Sequence, residues 1–169
     1  TPAEAGWCIG LESGAASGWP GTDWIENILI RQSGPEAYDA WLEGELAWTS
    51  QEVRSAFELY GEAVANAYGG STYILATNFF PAAQPMFDDS PGCLFHHQAS
   101  FITGDDGFGG YPSAPVAGED FDFFVMPDIN PDYQGAMVGA GDLFGMFKDT
   151  PASRSLMAYL VTAEAQDIW

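Results

Sequence analysis

The 169 residues suffice for one domain with a sizeable core, and a composition that is 47% hydrophobic and 15% aromatic marks a folding sequence, not a disordered one. The formal charge is −20, and Arg31, Arg54, Lys148 and Arg154 are the only Lys or Arg residues. Such a surface repels phosphate, which excludes nucleic acid and disfavours anionic lipid and anionic small ligands. A neutral or cationic ligand fits the charge, as does acidity that only keeps a secreted or salt-adapted protein soluble.

In chain order, Trp7 to Leu11 reads as a short buried strand, followed by a small-residue loop from Ser13 to Gly21. Thr22 is a good N-cap for a helix from Asp23 to about Arg31, with Trp24, Ile25, Ile28 and Leu29 on its apolar face. Gly34-Pro35 opens a second helix that carries Tyr38, Trp41 and Leu42. Thr49 with Glu52 forms a capping box for a third helix, in which Val53, Phe57, Tyr60 and Val64 recur at helical spacing. Tyr73 to Phe80 is ambiguous between strand and loop, and Pro81 to Phe87 reads as a short helix interrupted by Pro85. Strands are expected at 93–102, 121–126 and 142–147, with a further apolar stretch at 136–138. A last helix runs from Thr150-Pro151 to about Val161. Helices interleaved with short apolar strands predict an α/β fold with a mostly parallel sheet flanked by helices.

Cys8 and Cys93 each sit in a short apolar run, and read either as two buried thiols or as one disulfide of an oxidising compartment. No signal peptide is visible, and no apolar run approaches the ~18 residues of a membrane span. The start at Thr1-Pro2 and the end at Trp169 read as cut ends, with any targeting segment outside them.

Motifs for catalysis are absent: there is no G-x-S-x-G turn, no Gly-Lys-Ser/Thr phosphate loop and no H-E-x-x-H. His96 and His97 are adjacent, and neighbours on a strand face opposite ways, so they are not a metal pair. One of them is expected to be packed and the other to line a pocket or surface. Asp105-Asp106-Gly107 and Asp128 to Asp132 read as solvated acidic turns before they read as Ca²⁺ loops. No metal and no cofactor is expected.

The informative stretch runs from Glu12 to Trp24, after a strand and into a helix, where α/β proteins place ligands. Trp19 is held between Gly18 and Pro20, and an indole face stacks well on a pyranose ring. Carboxylates such as Glu12 and Asp23 accept paired hydrogen bonds from sugar hydroxyls. The same residues also suit a helix staple, and from residues alone the two readings balance.

The segments Trp7 to Gly14 and Gly18 to Glu26, then Pro85-Met86-Phe87, Pro91-Gly92-Cys93, His97 to Ile102, Gly139 to Asp142 and Asp149-Thr150-Pro151, resemble the extracellular sugar-binding proteins of bacterial ABC transporters. The likeness is to the alpha-glucoside-type branch. It implies one lobe of a two-lobed periplasmic-binding-protein fold over residues 1–138, a hinge crossing at 139–141, and a strand and helix of the other lobe at 142–169. The chain is then a fragment of a longer protein. It implies a neutral sugar or oligosaccharide as ligand, no catalytic residue, and the transporter's membrane subunits as partners. The location is the periplasm or a lipid-anchored position on the cell surface, with membrane contact only through the transporter or a missing anchor. The pocket carried over comprises Glu12, Trp19, Asp23, Trp24, Gln98, Phe101, Gly141 and Asp142. Cys8 and Cys93 fall on strands that the resemblance makes neighbours, which favours a bridge between them. The competing expectations are a small acidic glycoside hydrolase with paired carboxylates, and a salt-adapted domain without ligand.

Overall fold

A computed structural model of the chain describes residues 5–141 and 143–168. The chain divides into two compact units, one ending at Val138 and one beginning at Gly139. The first unit holds strand β1 (Ala5–Cys8), helices α1 (Trp19–Ser33), α2 (Pro35–Leu42), α3 (Gln51–Ala65) and α4 (Gly70–Ala76), and strand β2 (Cys93–His96). The second holds helices α5 (Pro151–Leu160) and α6 (Ala163–Gln166). The fold is mixed α/β, as expected. β1 and β2 pair in parallel with Trp7 opposite Phe95, and Trp7 also bridges Ala67. Cys8 and Cys93 are buried and joined as a disulfide, with their Cα atoms 5.6 Å apart.

α1 lies at the centre of the larger core. Trp24, Ile25, Ile28 and Leu29 pack with Ile9, Trp41, Val53, Ala56 and Ile74. This is the apolar face its periodicity predicts. A smaller cluster gathers Ala83, Ile102, Phe108 and Tyr111, and Phe80, Phe87 and Phe121 pack against it. The Tyr111 hydroxyl donates to the Phe80 carbonyl.

Several boundaries differ from expectation. α1 starts at Trp19, not Asp23, and its N-cap is Gly18, not Thr22. Gly18 adopts φ 104°, a left-handed conformation natural to glycine, and its carbonyl accepts from the N–H groups of Gly21 and Thr22. Pro20 fits the first turn because it has no N–H to leave unpaired. α3 is capped by Ser50, whose hydroxyl accepts from Val53 N–H at 3.3 Å, rather than by Thr49. Of the ambiguous stretch Tyr73 to Phe80, residues 73–76 are neither strand nor loop but the end of α4, with Ile74 buried in the core.

Of the expected strands, the one at 93–102 is regular only to His96, and a 3₁₀ turn follows at Ser100–Thr103. Residues 122–126, 136–138 and 143–147 form no strand. Among the described residues these segments find no neighbouring backbone to complete a ladder, and an unpaired strand is not stable in water. Phe123, Phe124 and Val125 accordingly stand exposed.

Candidate functional site

β1 continues through Ile9 and Gly10 to Glu12, where a second chain segment meets it. Leu11 N–H donates to the Ile74 carbonyl at 2.9 Å, Glu12 N–H to Thr77 at 3.1 Å, and Phe79 N–H to Glu12 at 3.2 Å. This approach needs a glycine at position 10. A Cβ there would stand 2.6 Å from Ala82 Cβ and 2.8 Å from the Thr77 carbonyl.

The Glu12 carboxylate is held from two sides. Gly14 N–H donates to Oε1 at 2.6 Å, and the Asn78 side-chain amide donates to Oε2 at 2.9 Å. Both bonds favour the ionised form, Gly14's more than Asn78's, and hold this carboxyl below the usual carboxylate range. Beyond Glu12 the loop makes a 3₁₀ turn over Gly14–Ala16, closed by Ser17, whose hydroxyl accepts from Ser13 N–H and donates to the Gly14 carbonyl. Gly14 to Ser17 are exposed.

Trp19 opens α1 half-buried. Its ring meets Phe79 edge-on at 4.9 Å and Phe101 at 6.0 Å, and Phe79 also packs against Phe80 at 4.3 Å. Phe101 retains 42% exposure. An aromatic wall of Trp19, Phe79 and Phe101 therefore stands next to an ionised, preoriented carboxylate, linked to it through the adjacent pair Asn78-Phe79. Gln98 lies three residues before Phe101 on the exit from β2, half-buried, its carbonyl oxygen accepting from Ala99 N–H at 2.9 Å.

Of the remaining expected residues, Asp23 is on the same face of α1 as Trp19. Asp23 is half-buried one turn into α1, and burial, followed by repulsion from Glu26, raises its carboxyl pKa. Trp24 is 3% exposed, enclosed by Trp7 at 4.8 Å, His97 at 4.6 Å and Tyr60 at 5.7 Å. It is a core residue. Gly141 belongs to the second unit, where it is exposed, and Asp142 lies outside the described residues. The residues that sequence reasoning missed are Asn78, Phe79 and Phe80. Their signal was two adjacent aromatics ahead of Pro81 in a stretch with no clear period.

Both histidines are largely covered. His96 Nδ1 is 2.8 Å from the Cys8 carbonyl, and burial lowers its pKa. His97 stacks on Trp24, and burial, then His96 and Arg31, bring its pKa down to about 4. No group of three or more His, Cys, Asp or Glu side chains placed to hold a metal occurs among the described residues. The Asp128–Asp132 segment is a clasp on the end of α1. Asp128 pairs with the buried Arg31 at 3.4 Å and accepts from Gly135 N–H, while Asn130 N–H donates to the Arg31 carbonyl. The first turn of α1 also borders an apolar cavity of about 240 Å³ beside Leu11, Gly21, Trp41, Trp48 and Tyr60; none of Glu12, Trp19, Gln98 or Phe101 lines it.

No family model and no solved structure matches the chain. Over 165 residues it is 37% identical to the osmoprotective compounds-binding protein GgtB of Synechocystis sp. (strain ATCC 27184 / PCC 6803 / Kazusa), covering 96% of this chain and 38% of that protein. Over 171 residues it is 39% identical to the alpha-glucosides-binding periplasmic protein AglE of Rhizobium meliloti (strain 1021), covering 98% of this chain and 36% of that one. The chain thus spans little more than a third of the length of these relatives, in line with the expected match to part of a longer protein. The resemblance read from the motifs is borne out: along nearly its whole length, this chain is homologous to one part of two binding proteins, one named for alpha-glucosides and the other for osmoprotective compounds.

Proposed function

We propose that this chain supplies one jaw of a binding protein that captures a neutral sugar or oligosaccharide outside the cytoplasm, in the periplasm or anchored on the cell surface, and delivers it to an ABC transporter. The observation that carries this reading is the pairing of the Glu12 carboxylate with the aromatic wall of Trp19, Phe79 and Phe101, in a chain homologous to an alpha-glucosides-binding protein. The carboxylate accepts hydrogen bonds from ring hydroxyls, and the aromatic wall covers the C–H face of the ring. Gln98 adds an amide from the β2 side. Trp24 is enclosed in the core by Trp7, Tyr60 and His97 and makes no ligand contact in this reading.

Closure of a second lobe would trap the sugar by contacts made only in the closed state. No residue has a catalytic role in this reading. Both relatives are named for binding, and a charge of −20 suits an uncharged ligand. Isothermal titration of the protein with methyl α-glucoside, maltose, trehalose and sucrose tests the reading. Saturable heat is expected with at least one of them, and no heat with any of the four overturns the proposal.

A further inference from the structure

We infer that Asn78 is a positioning residue of this site: its side-chain amide holds the Glu12 carboxylate in the orientation a sugar meets, and the turn it caps delivers Phe79 to Trp19. The inference rests on the sugar-binding reading above and extends it to a residue that touches no ligand.

Asn78 is bonded at both ends of its amide. Nδ2 donates to Glu12 Oε2 at 2.9 Å, and Oδ1 accepts from Phe80 N–H at 3.0 Å. A carboxylate only accepts and a backbone N–H only donates, so these two partners determine which way the amide faces. The backbones of residues 12 and 78 are bridged as well, by Glu12 N–H to Thr77 and Phe79 N–H to the Glu12 carbonyl. Glu12 is thereby locked against a segment 66 residues away in sequence. Each of its carboxylate oxygens uses one lone pair on the protein and keeps another for a ligand hydroxyl. A side chain ordered before binding loses less freedom on binding, which is how a residue outside the contact set raises affinity. The next residue, Phe79, stands 4.9 Å from the Trp19 ring, so one turn organises both the polar and the aromatic half of the site.

The alternative is that Asn78 merely shapes a turn. Asn78→Asp separates the two roles. It keeps an oxygen for Phe80 N–H but replaces the donor with a second carboxylate facing Glu12. Whichever of methyl α-glucoside, maltose, trehalose and sucrose the wild type binds is titrated into wild type and N78D at pH 7.5 and pH 5. The expected result is at least about a tenfold loss of affinity for N78D at pH 7.5. Recovery to within about threefold of wild type is expected at pH 5, where a shared proton bridges the two carboxylates. Wild-type affinity in N78D at pH 7.5, or an equal loss at both pH values, overturns the positioning role. If N78D does not fold, as judged by circular dichroism, Asn78→Ser takes its place; it keeps an oxygen for Phe80 N–H but is too short to reach Glu12. Tenfold weaker binding by that variant supports the role, and unchanged binding overturns it. Failure of wild type to bind any of the four sugars defeats the sugar-binding reading, and this inference with it, and is told apart from the other outcomes because it precedes any substitution.

Discussion

Trp19 and Trp24 lie five residues apart on one helix and have different fates. Five steps of about 100° turn them well over 100° apart on the α1 surface, so one faces the rim and the other the core. Trp19→Ala is expected to weaken sugar binding by at least about 1 kcal/mol, read by titration calorimetry. Trp24→Ala is expected instead to cost about 3–5 kcal/mol of stability, read by urea unfolding. Equal stability losses in the two variants would show that both rings are core. His97 carries a second prediction. Its folded pKa of about 4 lies below its usual 6.5. The unfolded chain therefore binds more protons between these values, and stability is full above pH 6.5 and lost as pH falls towards 4. That displacement of the pKa corresponds to about 3 kcal/mol, and His96 shifts in the same direction. Urea midpoints at pH 7 and pH 4.5 should show the fall, and His97→Asn should make it shallower, with the remainder left to His96. Glu12 and Trp19 were readable as site residues because a small-residue loop between strand and helix is a local pattern. Asn78 was not, since nothing near it in sequence indicates that its partner is Glu12.

Helices and strands differ in how far their causes lie along the chain. The helices were largely legible, because Pro35 and Thr150 act within one turn and the apolar faces repeat every three to four residues, although α3 took its cap from Ser50 and not Thr49. The displaced start of α1 shows the limit of that locality. Thr22 looked like a cap, but Gly18 could adopt a left-handed conformation and Pro20 needed no partner, so the helix gained another turn. The strands were poorly legible beyond β1 and β2. Phe121 to Met126 has the composition of a strand, yet a ladder requires a second backbone. The disulfide joins the two strands that do pair, across a sequence separation of 85 residues. Closing so long a loop in the unfolded chain is worth about 4.6 kcal/mol on the chain-entropy account. The double variant Cys8→Ala with Cys93→Ala should lose about that much in guanidinium unfolding, and an undiminished midpoint would show that core packing alone holds the sheet.

At the scale of the whole molecule, charge is the dominant property. Among the described residues the ion pairs are Arg31–Asp128 and Arg154–Asp149, which leaves most of the 24 acidic side chains without a basic partner. Self-repulsion of this kind weakens with salt. The melting temperature is therefore expected to rise as sodium chloride goes from about 0.05 M to about 0.5 M, while affinity for a neutral sugar stays within about twofold. A steep salt dependence of binding would point to a charged ligand instead. Sequence by itself determined most of the helical segments, though not α4, along with the acidic surface that excludes polyanions and the Glu12 to Trp24 stretch as a candidate site. Each of these depends on composition or on residues within a few positions of one another. Only the tertiary structure decided that Trp24 is core, that Asn78 holds Glu12 and that Phe79 completes the wall beside Trp19. Those contacts close loops of tens of residues, and the entropy of closing them is offset only by burial of the shared core.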